Sequence, residues 1–296
     1  MLIDTHCHLH DGKYDADREA VLLRARESGV ERVVTVGTSV RESEQAVFCA
    51  EKHDSVFATV GLHPHVFNGG AFRDSEWEED LGYYAQDGES VVSEEVRRDA
   101  LGKSLLSLEK LIESSSEHVV AVGEIGLDYF SHDPKRVIDE GQRLWQREGF
   151  LSQVKLAQKH DLPVVVHCRD AYDDLLHLFS SGEISRSERV VIHCHMASVE
   201  QAKQFLDSGV FFSFTGNVTY SKRDDDEMSR VLRLVPLERM MVETDGPFLT
   251  PVPLRGQRNE PAYVRHVAEH ISRVKNVPVG DVEAVTTKNA QQFFGI

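Results

Sequence analysis

Two histidines lie two residues apart near the start of the chain, His6 and His8 in the run LIDTHCH. Strand side chains alternate between faces, so on a strand both imidazoles project from one side and offer two nitrogen ligands to an ion. Alone, the spacing says little, because a hydrogen-bonded histidine at a strand end looks the same. Four more metal-capable residues follow, each closing a short apolar run: Glu124 after VVAVG, His167 after PVVV, His193 after VVI and Asp245 after MMVET. Six such residues at equivalent places are hard to supply from unrelated core histidines and capping carboxylates.

Four imidazoles and two carboxylates suffice for two divalent metal ions with open positions, particularly where one carboxylate bridges them, and Glu124 on a middle strand is the natural bridge. Zinc, manganese or iron suit this donor set better than magnesium, which prefers oxygen. Such a pair lowers the pKa of a bound water, orients a phosphate or carbonyl and stabilises the leaving oxygen, which is hydrolytic chemistry. Asp245, a ligand with a second oxygen to spare, is the candidate general base, and Glu124 is catalytic through its bridge.

These residues need a scaffold that brings distant strand ends together. Eight short runs read as strands: LIDTHCH, RVVTVGT, SVFATVG, HVVAVGE, LPVVVHC, RVVIHC, VFFSFTG and RMMVETD. Several are apolar at successive positions, as in parallel strands covered on both faces. Segments with near-helical apolar spacing lie between them, among them DADREAVLLRARESG, QRLWQREGFLSQVKLAQKH, SVEQAKQFLDSG and PAYVRHVAEHISRVK. The pattern predicts an α/β fold, a (β/α)8 TIM barrel, whose C-terminal strand ends converge on one mouth. At 296 residues one barrel domain accounts for residues 1–296.

The link between the third strand, ending near Gly61, and the fourth, beginning near His118, is long, and predicts an insertion at about 68–117. It carries the acidic stretch of Ser75, Glu76, Glu78, Glu79 and Asp80, then KSLLSLEKLIES as its most regular helical segment. Because it leaves from a strand C-terminus, it stands on the functional face.

Composition narrows the classes. No apolar run approaches the roughly 20 residues of a membrane span, and the N-terminus has no signal-like pattern, so a cytoplasmic protein is expected. Cys7, Cys49, Cys168 and Cys194 lack CxxC spacing and are expected as free thiols. Three of them directly follow ligand histidines, so alternation turns them toward the helix layer as small buried hydrophobes. A formal charge of −16 argues against broad electrostatic capture of nucleic acid, leaving a local positive mouth built from metals with Lys222, Arg223 and Arg258. The run Asp224 to Glu227 reads as a solvated helix start. No obligate protein partner is indicated.

The motifs DTHCHL, VGLHP, GEIGLDY, VVHCRDA, VIHC and VETDGPFLTP together resemble the TatD family of metal-dependent deoxyribonucleases, a branch of the amidohydrolase-like barrels, over nearly the whole chain. The resemblance implies that His6, His8 and Asp245 hold one ion, His167 and His193 the other, and Glu124 both. It further implies phosphate contacts from His63, Arg169, Arg255 and Asn259. Taken as ordinary residues, His63 caps the third strand and Arg169 pairs with a loop carboxylate. The chain departs from the family after the sixth strand, where it reads His193, Cys194, His195, Met196 and Ala197. Alternation directs His195 to the mouth as a substrate donor, unless it is an exposed loop residue.

The leading function is hydrolysis of DNA phosphodiesters from an end, as a 3'-5' exodeoxyribonuclease. An alternative is ester or amide hydrolysis, such as removal of a misattached amino acid by a D-aminoacyl-tRNA deacylase, because the same activated water attacks a carbonyl. A noncatalytic binding protein is a third class, less favoured because all six ligands are present.

Overall fold

In the computed structural model, residues 1–68, 93–131, 137–221, 223 and 225–296 are described. Ser75, Glu76, Glu78, Glu79 and Asp80 of the acidic stretch, together with Lys222 and Asp224, lie outside them.

Eight strands form one sheet in sequence order, every neighbouring pair parallel: β1 (Leu2–Cys7), β2 (Val30–Val36), β3 (Val56–Val60), β4 (Val119–Asp128), β5 (Val164–Arg169), β6 (Val190–Ile192), β7 (Phe211–Phe214) and β8 (Met240–Val242). The sheet closes where β1 meets the end of β8. His8 N donates to Gly246 O at 2.7 Å, Asp245 N to His6 O at 2.8 Å, and a parallel bridge joins Cys7 to Gly246. The buried Asp4 carboxylate completes the seam, accepting from Thr244 N at 2.8 Å and Thr244 Oγ1 at 2.5 Å. The outcome is a TIM barrel, as the strand count predicts.

The helices are α1 (Arg18–Glu27), α2 (Val40–Glu51), α3 (Glu94–Ser114), α4 (Glu140–Lys159), α5 (Tyr172–Ser180), α6 (Val199–Asp207), α7 (Glu227–Leu234), α8 (Val264–Lys275) and α9 (Val279–Phe294). Their starts follow capping chemistry. Asp139 with Gln142 and Ser198 with Gln201 form capping boxes, and Asp226 accepts from Ser229 N, so Asp226 and Glu227 open a helix. Glycines with φ of 83°, 81° and 82° (Gly29, Gly182 and Gly209) turn the chain after α1, α5 and α6. Helix α3, which contains KSLLSLEKLIES, packs between α2 and α4 and occupies the third place in the helix ring. The helix α9 is not among the helical segments read from sequence. Its Phe293 and Phe294 join Ile3, Val34, Ala121, Val165 and Met241 in the cluster that fills the barrel interior.

Every residue of β1 and β4 is buried, which explains the unbroken apolar run VVAV that opens β4. Higher in the barrel the interior turns polar: Thr5 Oγ1 meets Ser213 Oγ at 3.0 Å, and Thr59 Oγ1 donates to Gly123 O at 2.5 Å. The imidazoles and carboxylates gather on the C-terminal side of the barrel, within or just beyond these strands.

Candidate metal centre

Two buried glutamines on α4 fix the mouth. Gln153 pairs with the Leu62 backbone, accepting from its N–H at 2.6 Å and donating to its carbonyl at 3.0 Å. Seven residues earlier, Gln146 does the same for Asp128, at 2.8 Å in each direction. A residue every two turns of one helix thus stands in for a neighbouring strand at the ends of β3 and β4.

The strand β4 runs on to Asp128, so Glu124 lies within it and not at its end, contrary to the sequence reading. The β4–β5 register shifts between Val122 and Ile125, and this irregularity delivers the Glu124 side chain into the mouth. Two residues on, Gly126 has φ 148°, and a Cβ there would fall 2.0 Å from His167 O, so only glycine lets the two strands approach.

The six candidate ligands converge. Glu124 Oε1 lies 2.7 Å from His167 Nδ1 and 2.7 Å from His193 Nε2, and Oε2 lies 3.4 Å from His6 Nε2. Asp245 Oδ1 lies 3.5 Å from His8 Nε2 and 3.7 Å from His6 Nε2. The residues group as His6, Glu124 and His193, and as His6, His8 and Asp245, each with donor atoms within 4.8 Å of one another. Among the described residues no cysteine joins such a group. Cys7 and Cys168 are buried in the layer between sheet and helices, as expected, while Cys194 is part-buried with Sγ 3.5 Å from Thr215 Oγ1.

Burial alone would raise the Glu124 carboxyl, yet the charge of His193 and the hydrogen bond from His167 hold it well below its ordinary range. Asp245 is held down against burial by His8, His6 and His193. Burial would depress His8, but the Asp245 hydrogen bond and charge, with Glu124 and Glu42, raise it to about 9. These carboxylates draw positive charge into the mouth. His6 is fully buried, and neither of its nitrogens has a hydrogen-bond partner among the described residues. Nitrogens left over beside anionic oxygens fit a divalent cation, which needs deprotonated imidazole and ionised carboxylate together.

Three residues that the sequence reading passes over support this cluster. Asp128 Oδ2 lies 3.1 Å from His167 Nε2 and 2.9 Å from His65 Nε2, orienting the His167 ring from the side opposite Glu124. Glu243 Oε1 accepts from Cys194 N at 2.7 Å and lies 3.5 Å from His193 Nδ1. The signals were present: His65 repeats the H-x-H spacing, Asp128 stands four residues after Glu124, and Glu243 two before Asp245.

The candidate substrate contacts divide. His63 is buried beside Glu124, its Nε2 3.5 Å from Oε1, and its Nδ1 accepts from His65 N at 3.2 Å, so Nε2 carries the hydrogen and faces the cluster. Burial, with the charges of His65 and His167, pushes His63 down to about 3, so it donates as a neutral ring. Arg169 and Arg255 are exposed and stack on Phe130 at 3.4 Å and Tyr220 at 4.0 Å. Asn259 is fully buried, and its side chain is spent on structure: Nδ2 donates to Thr244 O and Phe248 O, and Oδ1 accepts from Glu260 N. Arg258 is tied to Asp17. His195 does not face the mouth. Cys194 has φ 44°, which breaks the alternation, and His195 is buried in the helix-side layer against Phe212 (4.7 Å between ring centres), Phe205, Phe214 and Tyr172.

A family described as TatD related DNase matches residues 3–295. The chain is 33% identical over 297 residues to an uncharacterized metal-dependent hydrolase, YabD of Bacillus subtilis, covering 100% of both. It is 29% identical over 303 residues to a 3'-5' ssDNA/RNA exonuclease TatD of Erwinia tasmaniensis, again covering 100% of both. Among solved structures, the TatD homologue YJJV of Escherichia coli K12 superposes with a TM-score of 0.79 at 27% identity, covering 100% of this chain and 98% of that one. With six metal-capable residues gathered at the mouth of a closed parallel barrel and the family matched from end to end, this chain belongs to the TatD family of metal-dependent hydrolases.

Proposed function

We propose that the chain is a 3'-5' exodeoxyribonuclease that hydrolyses phosphodiesters at two divalent ions held by His6, His8, Glu124, His167, His193 and Asp245. The observation that carries this is the position of Glu124, whose Oε2 faces His6 while Oε1 faces His167 and His193, as a carboxylate shared between two ions requires. The exonuclease activity of the TatD relatives in Erwinia tasmaniensis and Klebsiella pneumoniae supports DNA as the substrate.

A divalent pair held there would supply Lewis-acid charge to a phosphate and lower the pKa of a water. The protein supplies the rest. Asp245, ionised and held by His8, accepts the proton of that water. His63 presents a neutral N–H toward an oxygen of the phosphate, and Asp128 keeps the His167 ring in a single orientation. Arg169 and Arg255, at the exposed rim, counter the charge of the strand. No helix among the described residues is long and apolar enough to cross a membrane. The four cysteines are free, in keeping with a reducing compartment such as the cytoplasm.

The test is turnover of end-labelled single-stranded and duplex DNA, beside an aminoacyl-transfer-RNA ester, after metal reconstitution. Stepwise shortening by the wild type, lost in Glu124→Ala and Asp245→Ala, is the expected result. Ester cleavage without DNA cleavage overturns the proposal in favour of a deacylase, and inactivity with every metal leaves a binding protein.

A further inference from the structure

Phe248 is an aromatic side chain that the fold leaves about half exposed, at 49%, beside the metal centre. It stands three residues after Asp245, with its ring centre 6.1 Å from that of His8 at an interplanar angle of 71°. Its backbone is fixed from both sides: Phe248 N donates to Asp245 O at 2.9 Å, and Phe248 O accepts from Asn259 Nδ2 at 2.6 Å. A solitary exposed phenylalanine is ordinary on a protein surface. A rigidly mounted one next to a metal ligand, with Lys13 Nζ held 4.6 Å from the ring centre, is a combination that a nucleotide fits.

We propose that Phe248 and Lys13 form a seat for an unpaired terminal nucleotide, with the base stacked on the Phe248 ring and a neighbouring backbone phosphate paired with the Lys13 ammonium. This rests on the nuclease reading and adds to it what the enzyme recognises at the strand end. A phosphate at the metal centre leaves its own base within one sugar's reach of the rim, where the Phe248 ring offers a flat apolar face. Base–aromatic stacking accepts all four bases, because each has a π-face and the ring has no hydrogen-bonding edge to choose among them. A base inside a duplex already stacks on its neighbour and pairs with its complement, so it reaches this ring only after being freed. The seat therefore selects single-stranded or frayed ends and is indifferent to sequence.

The experiment pairs an enzyme truncation with a substrate truncation. The metal-loaded full chain is assayed on single-stranded DNA ending in an ordinary nucleotide and on the same strand ending in a base-less tetrahydrofuran nucleotide. Phe248→Ala is expected to lower kcat/KM about tenfold on the ordinary end and to cause no comparable loss on the base-less end. Phe248→Leu, which keeps apolar bulk without a flat face, is expected to fall near the alanine variant. Lys13→Ala should flatten the dependence of log KM on log salt by roughly 0.7, the share of one single-strand phosphate contact. Phe48→Ala on α2, an exposed ring with Lys52 Nζ 3.9 Å from its centre, is the matched control and should change neither substrate. Equal loss on both ends with Phe248→Ala overturns the seat while leaving the nuclease reading intact. Failure of the wild type on both ends overturns the nuclease reading, and the seat with it.

Discussion

Replacing His195 by leucine should make this enzyme more stable without slowing it. The imidazole is 1% exposed among Phe205, Phe212, Phe214 and Tyr172, and neither nitrogen has a hydrogen-bond partner among the described residues. An unpaired buried polar group costs about 1–3 kcal/mol, and a volume-conserving apolar swap gives back less than about 1.5 kcal/mol in misfit. The net gain is about 1–2 kcal/mol. With roughly 2.1 cal/mol/K of unfolding entropy per residue, that raises the melting temperature by about 2–3 °C over 296 residues. The gain should grow in acid. Burial holds His195 down to about 3 from 6.5, so between those values the unfolded chain binds a proton that the folded chain refuses. That part of the wild-type stability falls as pH drops through 6.5 and stops falling below about 3. At pH 5 the difference is about 2 kcal/mol more than at neutrality. Urea titrations of both proteins at pH 7 and pH 5, with turnover measured beside them, check this. A leucine variant that keeps wild-type stability but loses turnover would refute the reasoning, because the imidazole would then reach substrate.

Glu243→Gln should weaken metal affinity by about 10–100-fold, because the carboxylate steadies both Cys194 N and the His193 ring; chelator titration reads the affinity, and excess metal should restore turnover. Gly149→Ala should cost about 1–3 kcal/mol by overpacking, since a Cβ there would fall 2.2 Å from Phe67 Cζ, below the loop that carries His63 and His65; a lowered denaturation midpoint is the readout. Glu124→Ala should abolish turnover and, unlike Asp245→Ala, reduce retention of both ions, which elemental analysis of the purified variants resolves.

The barrel was legible because several parallel strands covered on both faces leave unbroken apolar runs, and four of the six ligands because each closes such a run. Alternation still brings His6 and His8 to the mouth together, although the β1–β2 register shifts between Asp4 and Cys7; the end of β1 is bonded to the turn after β8. It fails at His195, because β6 ends at Ile192 and Cys194 turns into positive φ, a change no local composition announces. Asn259 was misjudged for a different reason: an amide near a site can bind substrate or brace a loop, and only three-dimensional proximity to Thr244, Phe248 and Glu260 decides between them. Asp128 and Glu243 share strands with recognised ligands, but their partners, His65, His167 and Cys194, come from other strands and loops, so their roles depend on closure. The helix α9 carries no helix-ring pattern in sequence, because its Phe293 and Phe294 serve the barrel interior.

The seam between β1 and β8 has a consequence for the order in which competence is acquired. His6 and Asp245 are brought together by partners about 240 positions apart along the chain, through His8 with Gly246 and Asp4 with Thr244. Contacts that distant in sequence carry the largest loop-closure entropy, so they are the slowest to be gained. A nascent or half-collapsed chain therefore holds scattered histidines with no cleavage apparatus, and a divalent ion can reward only the finished ring. Hydrolytic power arrives together with the last join, which spares the cell a partly folded hydrolase.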